Sequence, residues 1–164
     1  MGRQTGLAHR NGGAAVRARA TALPVVGALV LAGCGSSTLS GGQLHHRAAR
    51  ICASAQQRSE SIPAPSDPDN ASRFLREGIA ALSPQVRALH RLKPPSELAD
   101  DYDSALRSSD RELSVLRSTL RSLDAGEDPV TATRALQHKL DPAEDAAAGA
   151  WRAVGVAACT TVMG

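Results

Sequence analysis

The strongest constraint on the fold is a row of apolar residues repeating at helical spacing between two chain breakers. Leu98, Tyr102, Ala105, Ser109, Leu113, Leu116, Leu120 and Leu123 recur every three or four residues, and Leu106 widens the face. Such a period places them along one side of an α-helix. Pro94-Pro95 cannot donate helix hydrogen bonds and Gly126 is a normal stop signal. The pattern predicts a helix over about 96–124, with Ser96 as its cap. A helix that is apolar on one face must bury that face against other elements. The remaining segments decide what those are.

Three further stretches carry the same period. Over about 43–60, Leu44, Ala48, Ile51 and Ala55 share a face. SIPAPSDPDN, residues 61–70, then interrupts with three prolines and reads as an exposed loop. Asp69 or Asn70 can cap a segment over about 71–93, in which Leu75, Ile79, Leu82, Val86, Leu89 and Leu92 form the stripe. Pro84 inside it predicts a kink or brief break with Ser83 as a new cap, and Gly78 weakens it further. Asp128-Pro129 opens the last segment with a cap and a first-turn proline. Its stripe is Thr133, Leu136, Leu140, Ala143, Ala147 and Trp151 or Val154, disturbed in the middle by Pro142. Phe74, Tyr102 and Trp151 are the only aromatics, which argues against a β-sandwich or barrel. The expectation is all-α: an up-down-up-down four-helix bundle over 44–164, with the stripes as core and Trp151 filling one end.

The formal charge of +3 divides unevenly. Residues 1–33 hold Arg3, Arg10, Arg17 and Arg19 and no acid, so the other 15 basic and 16 acidic residues leave the rest at −1. A nucleic-acid role has no support from such a balance, because phosphate backbones require clustered positive charge. The basic leader precedes an apolar run, TALPVVGALVLA over 21–32, too short to cross a bilayer as a helix. A charged lead, a short apolar core and small residues after it describe a secretory signal. Leu31-Ala32-Gly33-Cys34, directly following, resembles a bacterial lipobox. The resemblance implies a diacylglyceryl group on the Cys34 sulfur and cleavage before it, leaving a mature chain of 131 residues, 164 less 33. The alternative is an ordinary cleaved signal with an incidental cysteine. Gly35 rather than Asp follows Cys34, so the retention signal of two-membrane bacteria is missing and the outer face of the cytoplasmic membrane is the expected location. The long polar lead suggests that translation begins near Val16. Residues 34–43, Gly- and Ser-rich, read as a lipidated flexible tether.

With Cys34 given to lipid, Cys52 and Cys159 remain. An exported chain meets an oxidising environment, and antiparallel topology brings the start of the first helix to the end of the fourth. The pair is expected to form a disulfide, two free thiols being the alternative. The chain is also similar to a loose group of actinobacterial lipoproteins of unknown function. The matching features are the lipobox, Ile51-Cys52-Ala53, Leu89-x-x-Leu92-Lys93-Pro94-Pro95 and Gly155-x-x-x-Cys159. That resemblance implies an anchored, disulfide-clasped helical domain and supplies no activity.

No sequence arrangement for nucleophilic catalysis stands out: G-x-S-x-G, S-x-x-K and a Cys-His pairing motif are all missing. His45 and His46 diverge on a helix, and His90 and His138 stand on separate segments. An enzyme would need His90 or His138 to meet a carboxylate in a cleft. Asp100-Asp101-Tyr102-Asp103 suits a helix start and lacks the spacing of a calcium loop. No catalytic residue, cofactor or metal is therefore assigned. The leading expectation is a non-catalytic interaction or scaffold lipoprotein that meets a cell-envelope protein or polymer. The alternative is a binder of a small apolar or cationic ligand, in a gap opened beside Pro84 or Pro142.

Overall fold

Ser40 caps the first helix. Its hydroxyl accepts the Gln43 backbone N–H at 3.3 Å, while its own N–H donates to Gln43 Oε1 at 3.1 Å. This reciprocal capping box starts α1, Gly41–Glu60. The computed structural model describes residues 38–160; the 21–32 apolar run, the 31–34 motif with Cys34, the start near Val16 and tether residues 35–37 lie outside the described residues. The expected tether over 34–43 is corrected at its distal end. Leu39 is buried in the core and its N–H donates to the Lys93 carbonyl at 2.9 Å. Gly41 and Gly42 are already helical, because the box at Ser40 offsets their low propensity.

Three more helices follow: α2, Ala71–His90; α3, Ala99–Asp124; and α4, Pro129–Val154. One-turn 3₁₀ segments precede α2 (68–70) and α3 (96–98), and another (157–159) follows α4. No strand occurs among the described residues. The caps differ from expectation. Asp67, rather than Asp69 or Asn70, accepts a backbone N–H, that of Asp69 at 2.9 Å, and Ser96 makes no capping bond because the 3₁₀ turn after Pro95 leads into α3. Asp128 caps α4 as expected, accepting from Thr131 N at 2.8 Å. Pro84 and Pro142 do not interrupt their helices. Each is exposed while Leu82, Val86 and Ala143 beside them are buried, so packing of the flanking stripe outweighs the lost hydrogen bond.

Cross-helix contacts run antiparallel throughout. Cys52 meets Gln85 and Arg58 meets Ala81 between α1 and α2. Leu89 meets Tyr102 and Ser83 meets Arg117 between α2 and α3, and Ser109 meets Trp151 between α3 and α4. The result is an all-α four-helix bundle whose most extensive packing is α3 on α4. The core has two parts. At one end Leu44, Ala48, Cys52, Leu89, Tyr102, Ala105, Trp151, Val154, Val156 and Cys159 pack with Leu39. Further along, Leu75, Leu82, Val86, Leu113 and Leu116 form a cluster between α2 and α3, with Leu136 and Leu140 of α4 against it. Two stripe assignments change: Cys52 is buried where Ile51 is only partly so, and Ala132 faces inward where Thr133 is exposed.

Trp151 fills the first part as expected. Its ring stands edge-on to Tyr102, centroids 5.7 Å apart, and its indole N–H donates to Ser109 Oγ at 3.1 Å. The Tyr102 hydroxyl donates to the Leu89 carbonyl at 2.8 Å, an acceptor in the last turn of α2 that also takes the Leu92 N–H at 3.0 Å. Beside them Cys52 and Cys159 sit at disulfide-bonding distance, with Cα atoms 5.1 Å apart. Gly155 ends α4 with φ +82, and a Cβ there would lie 3.3 Å from the His45 ring.

Replacing both Cys52 and Cys159 by Ala is expected to lower unfolding free energy by about 4 kcal/mol, since the bond closes a loop of roughly 100 residues. The urea midpoint reads this; an unchanged midpoint would mean that packing alone holds α1. Gly155→Ala is expected to cost about 1–2 kcal/mol through its left-handed backbone and the His45 contact. Gly149→Ala, in open space within α4, should instead stabilise by up to about 1 kcal/mol. Thermal melts of the two variants check the opposite signs.

Candidate functional site

Along α1, Arg47, Arg50, Ser54 and Arg58 follow one another at steps of three, four and four residues, so they line one side of the helix. Pro84, Ala88 and Leu92, four apart, do the same along α2 and its end, joined by Arg91. The antiparallel pair leaves a groove between these two sides with a volume of about 580 Å³. Its apolar surface comes from Ile51, Pro84, Ala88 and Leu92, and its charge from the guanidinium groups of Arg47, Arg50, Arg58 and Arg91. Among the described residues no carboxylate lines it.

One polar group in the lining is buried. Gln85 is 4% exposed; its Nε2 donates to Cys52 Sγ at 3.4 Å, while Oε1 has no partner. A buried acceptor without a donor is costly, and satisfied ones are the rule. Arg58 is held in place: one guanidinium nitrogen donates to Ser54 Oγ at 2.9 Å and another to the Ala81 carbonyl at 3.4 Å. The ion pairs among the described residues are Arg73–Glu77, Arg76–Asp124 and His90–Asp110, so none neutralises the groove. Such a lining attracts anions and repels the cationic ligand considered from sequence. The groove does lie beside Pro84, but it opens between two continuous helices rather than at a break.

A smaller groove of about 380 Å³ lies where the proline-rich loop meets the start of α4, bordered by Pro65, Asp67, Val130, Arg134 and Gln137. Pro142 lines neither groove.

The residues singled out from sequence are dispersed. Cys34 lies outside the described residues, and Cys52 with Cys159 belongs to the core. His45 packs over Gly155 with Nε2 buried and unpartnered, His46 is exposed on α1 and His138 on α4. His90 does reach a carboxylate, Asp110 at 3.0 Å, but both side chains are about half exposed and neither groove includes them. Asp100 and Asp101 occupy the first turn of α3, while Tyr102 between them and Asp103 turns inward. Burial, and then the charge of Asp103, push the Tyr102 phenol well above its ordinary range. Among the described residues no group of three or more His, Cys, Asp or Glu is arranged to hold a metal.

A second electrostatic feature sits between α3 and α4. Glu112 is partly buried there, and desolvation followed by the charge of Glu144 pushes its carboxyl up to about 7. Glu144 is raised by burial and by Asp141 and Asp145.

Sequence reasoning missed Arg47, Arg50, Arg58, Arg91 and Gln85. The signal was present: between residues 35 and 59 every charged side chain other than histidine is Arg. Balancing charge over all of residues 34–164 concealed it. No family model, no curated protein and no solved structure matches the chain.

Glu112 gives a pH test. The folded state keeps its proton up to about 7, while the unfolded chain releases it near 4.5. Its contribution to stability is therefore present below the unfolded value and is lost as pH rises through the folded one. Glu112→Gln should flatten that decline and raise stability at pH 8 by about 1–3 kcal/mol. Urea unfolding at pH 5 and pH 8 checks it; equal slopes for the two proteins would refute the shift.

Proposed function

We propose that this chain is a lipoprotein held on the outer face of the cytoplasmic membrane by an acylated Cys34, and that its helical domain is a non-catalytic interaction module. The observation that carries the module is the α1–α2 groove, whose lining among the described residues has four guanidinium groups and no carboxylate. Guanidinium and amide groups donate hydrogen bonds and hold charge, but they do not exchange protons near neutral pH. A site built from them binds and orients an anion rather than transforming it. The signal-like leader and the Leu31–Cys34 motif support the anchor, and a disulfide-distance pair suits an oxidising compartment.

A small-ligand reading has one observation in its favour. The groove volume of about 580 Å³ falls within the size of ordinary ligand sites. On either reading the bound group is anionic.

Intact-mass measurement of the protein isolated from membranes tests the anchor. The expected mass lacks residues 1–33 and carries a diacylglyceryl group on Cys34, and Cys34→Ala should abolish that species. Recovery of the full chain from the soluble cell interior, with an unmodified Cys34, would overturn the proposal.

A further inference from the structure

We infer that the arginine groove is a seat for the phosphate of an anionic phospholipid headgroup, giving the domain a second, non-covalent hold on the same membrane. The inference rests on the anchored reading above and names the partner of that site. Three observations carry it.

The first is charge. Arg47, Arg50, Arg58 and Arg91 converge on one groove without an acidic partner among the described residues, and a phosphate matches the donor fork of a guanidinium. Arg58, pinned by Ser54 and the Ala81 carbonyl, supplies a fixed charge; Arg47, Arg50 and Arg91 are exposed and able to fold over a ligand.

The second is the mixed lining. Ile51, Pro84, Ala88 and Leu92 give apolar surface between the cations, as an amphiphile needs and a bare inorganic ion does not. Gln85, also in the lining, has a buried Oε1 without a hydrogen-bond donor.

The third is position. Leu39 is docked by its N–H on the Lys93 carbonyl, next to Leu92 at one end of the groove. Five residue steps separate it from Cys34, a span of at most about 18 Å. An acyl chain on Cys34 therefore keeps the Arg91 end of the groove within reach of headgroups of the leaflet that holds the anchor. At that local concentration even weak headgroup binding is effectively intramolecular.

The test uses residues 34–164 with Cys34→Ser, since among the described residues the whole core and both bonded cysteines lie from Leu39 to Cys159. Binding is measured by co-sedimentation with vesicles of equal parts phosphatidylglycerol and phosphatidylcholine, and with phosphatidylcholine alone. Binding is expected only to the anionic vesicles. Arg47→Ala, Arg50→Ala and Arg91→Ala together should weaken it about 100-fold, taking about fivefold per arginine. The matching Lys triple should stay within about tenfold of the parent, because charge is kept and only the fork geometry is lost. A control triple on α3, Arg107→Ala, Arg111→Ala and Arg121→Ala, should keep most of the binding if the groove, rather than overall charge, is responsible.

Equal losses in the two Ala triples, or no loss in the groove triple, would overturn the inference. So would a groove that takes up inorganic phosphate at millimolar concentration while ignoring the vesicles, since that is a free-anion site. The tested chain has no acyl group, so failure here leaves the anchor to be judged on the mass of Cys34.

Discussion

Closure of the bundle depends on the link between the first helix and the turn behind the last. α2, α3 and α4 each pack on the element next to them in sequence, and α3 on α4 is the broadest of these contacts. α1 lies against α2 and against the 157–159 turn, where Cys52 and Cys159 meet and the Cys159 sulfur also approaches the Ala48 carbonyl at 3.7 Å. A helix with Ala48 and Ala55 on its inner face buries little area per turn. A covalent bond placed there substitutes for apolar surface that the sequence does not supply. The same thinness lets the backbones of α1 and the chain end approach closely, with Gly155 leaving room for the His45 ring.

Most of the architecture was legible because periodicity and breakers agreed. Leu98 to Leu123, bounded by Pro94-Pro95 and Gly126, became α3 almost to the residue, and Gly126 takes φ +91 where the helix stops. The errors fell where a local signal met tertiary packing. Pro84 read as a kink or brief break and Pro142 as a disturbance, yet neither helix is broken there, because their neighbours are buried. Residues 39–43 read as a linker from Gly and Ser content, and a single apolar side chain, Leu39, together with the Ser40–Gln43 box, reversed that. The candidate site was far less legible. Periodicity reports which residues face inward, whereas the groove is made by outward residues of two helices that only the fold sets side by side.

The surface electrostatics are arranged by helix rather than by net charge. α1 carries arginines in a row and Arg91 at the end of α2 joins them, while acids gather at the start of α3 and near Glu144 on α4. The partly buried Glu112 between α3 and α4 then gains from a proton that its neighbours discourage it from losing. A chain that is near neutral over residues 34–164 can in this way present one strongly cationic side, because the fields of separated clusters decay over about a Debye length. Summed charge hides such a division.

The two parts of the core are not equally secured. Around Trp151 and Tyr102 the packing is dense, its hydrogen bonds are buried and the sulfur link is adjacent, whereas the Leu75–Leu116 cluster is aliphatic, with only the part-buried Ser83–Arg117 and the exposed Arg76–Asp124 contacts beside it. Opening fluctuations should begin at the latter end, under the proline-rich loop, and stop short of the former. Amide exchange would then be graded along each helix, slowest beside Leu89 and Trp151 and quickest toward the α1–α2 and α3–α4 connections. The groove spans this gradient, its Arg91 end lying over the rigid portion and its Arg58 end over the yielding one.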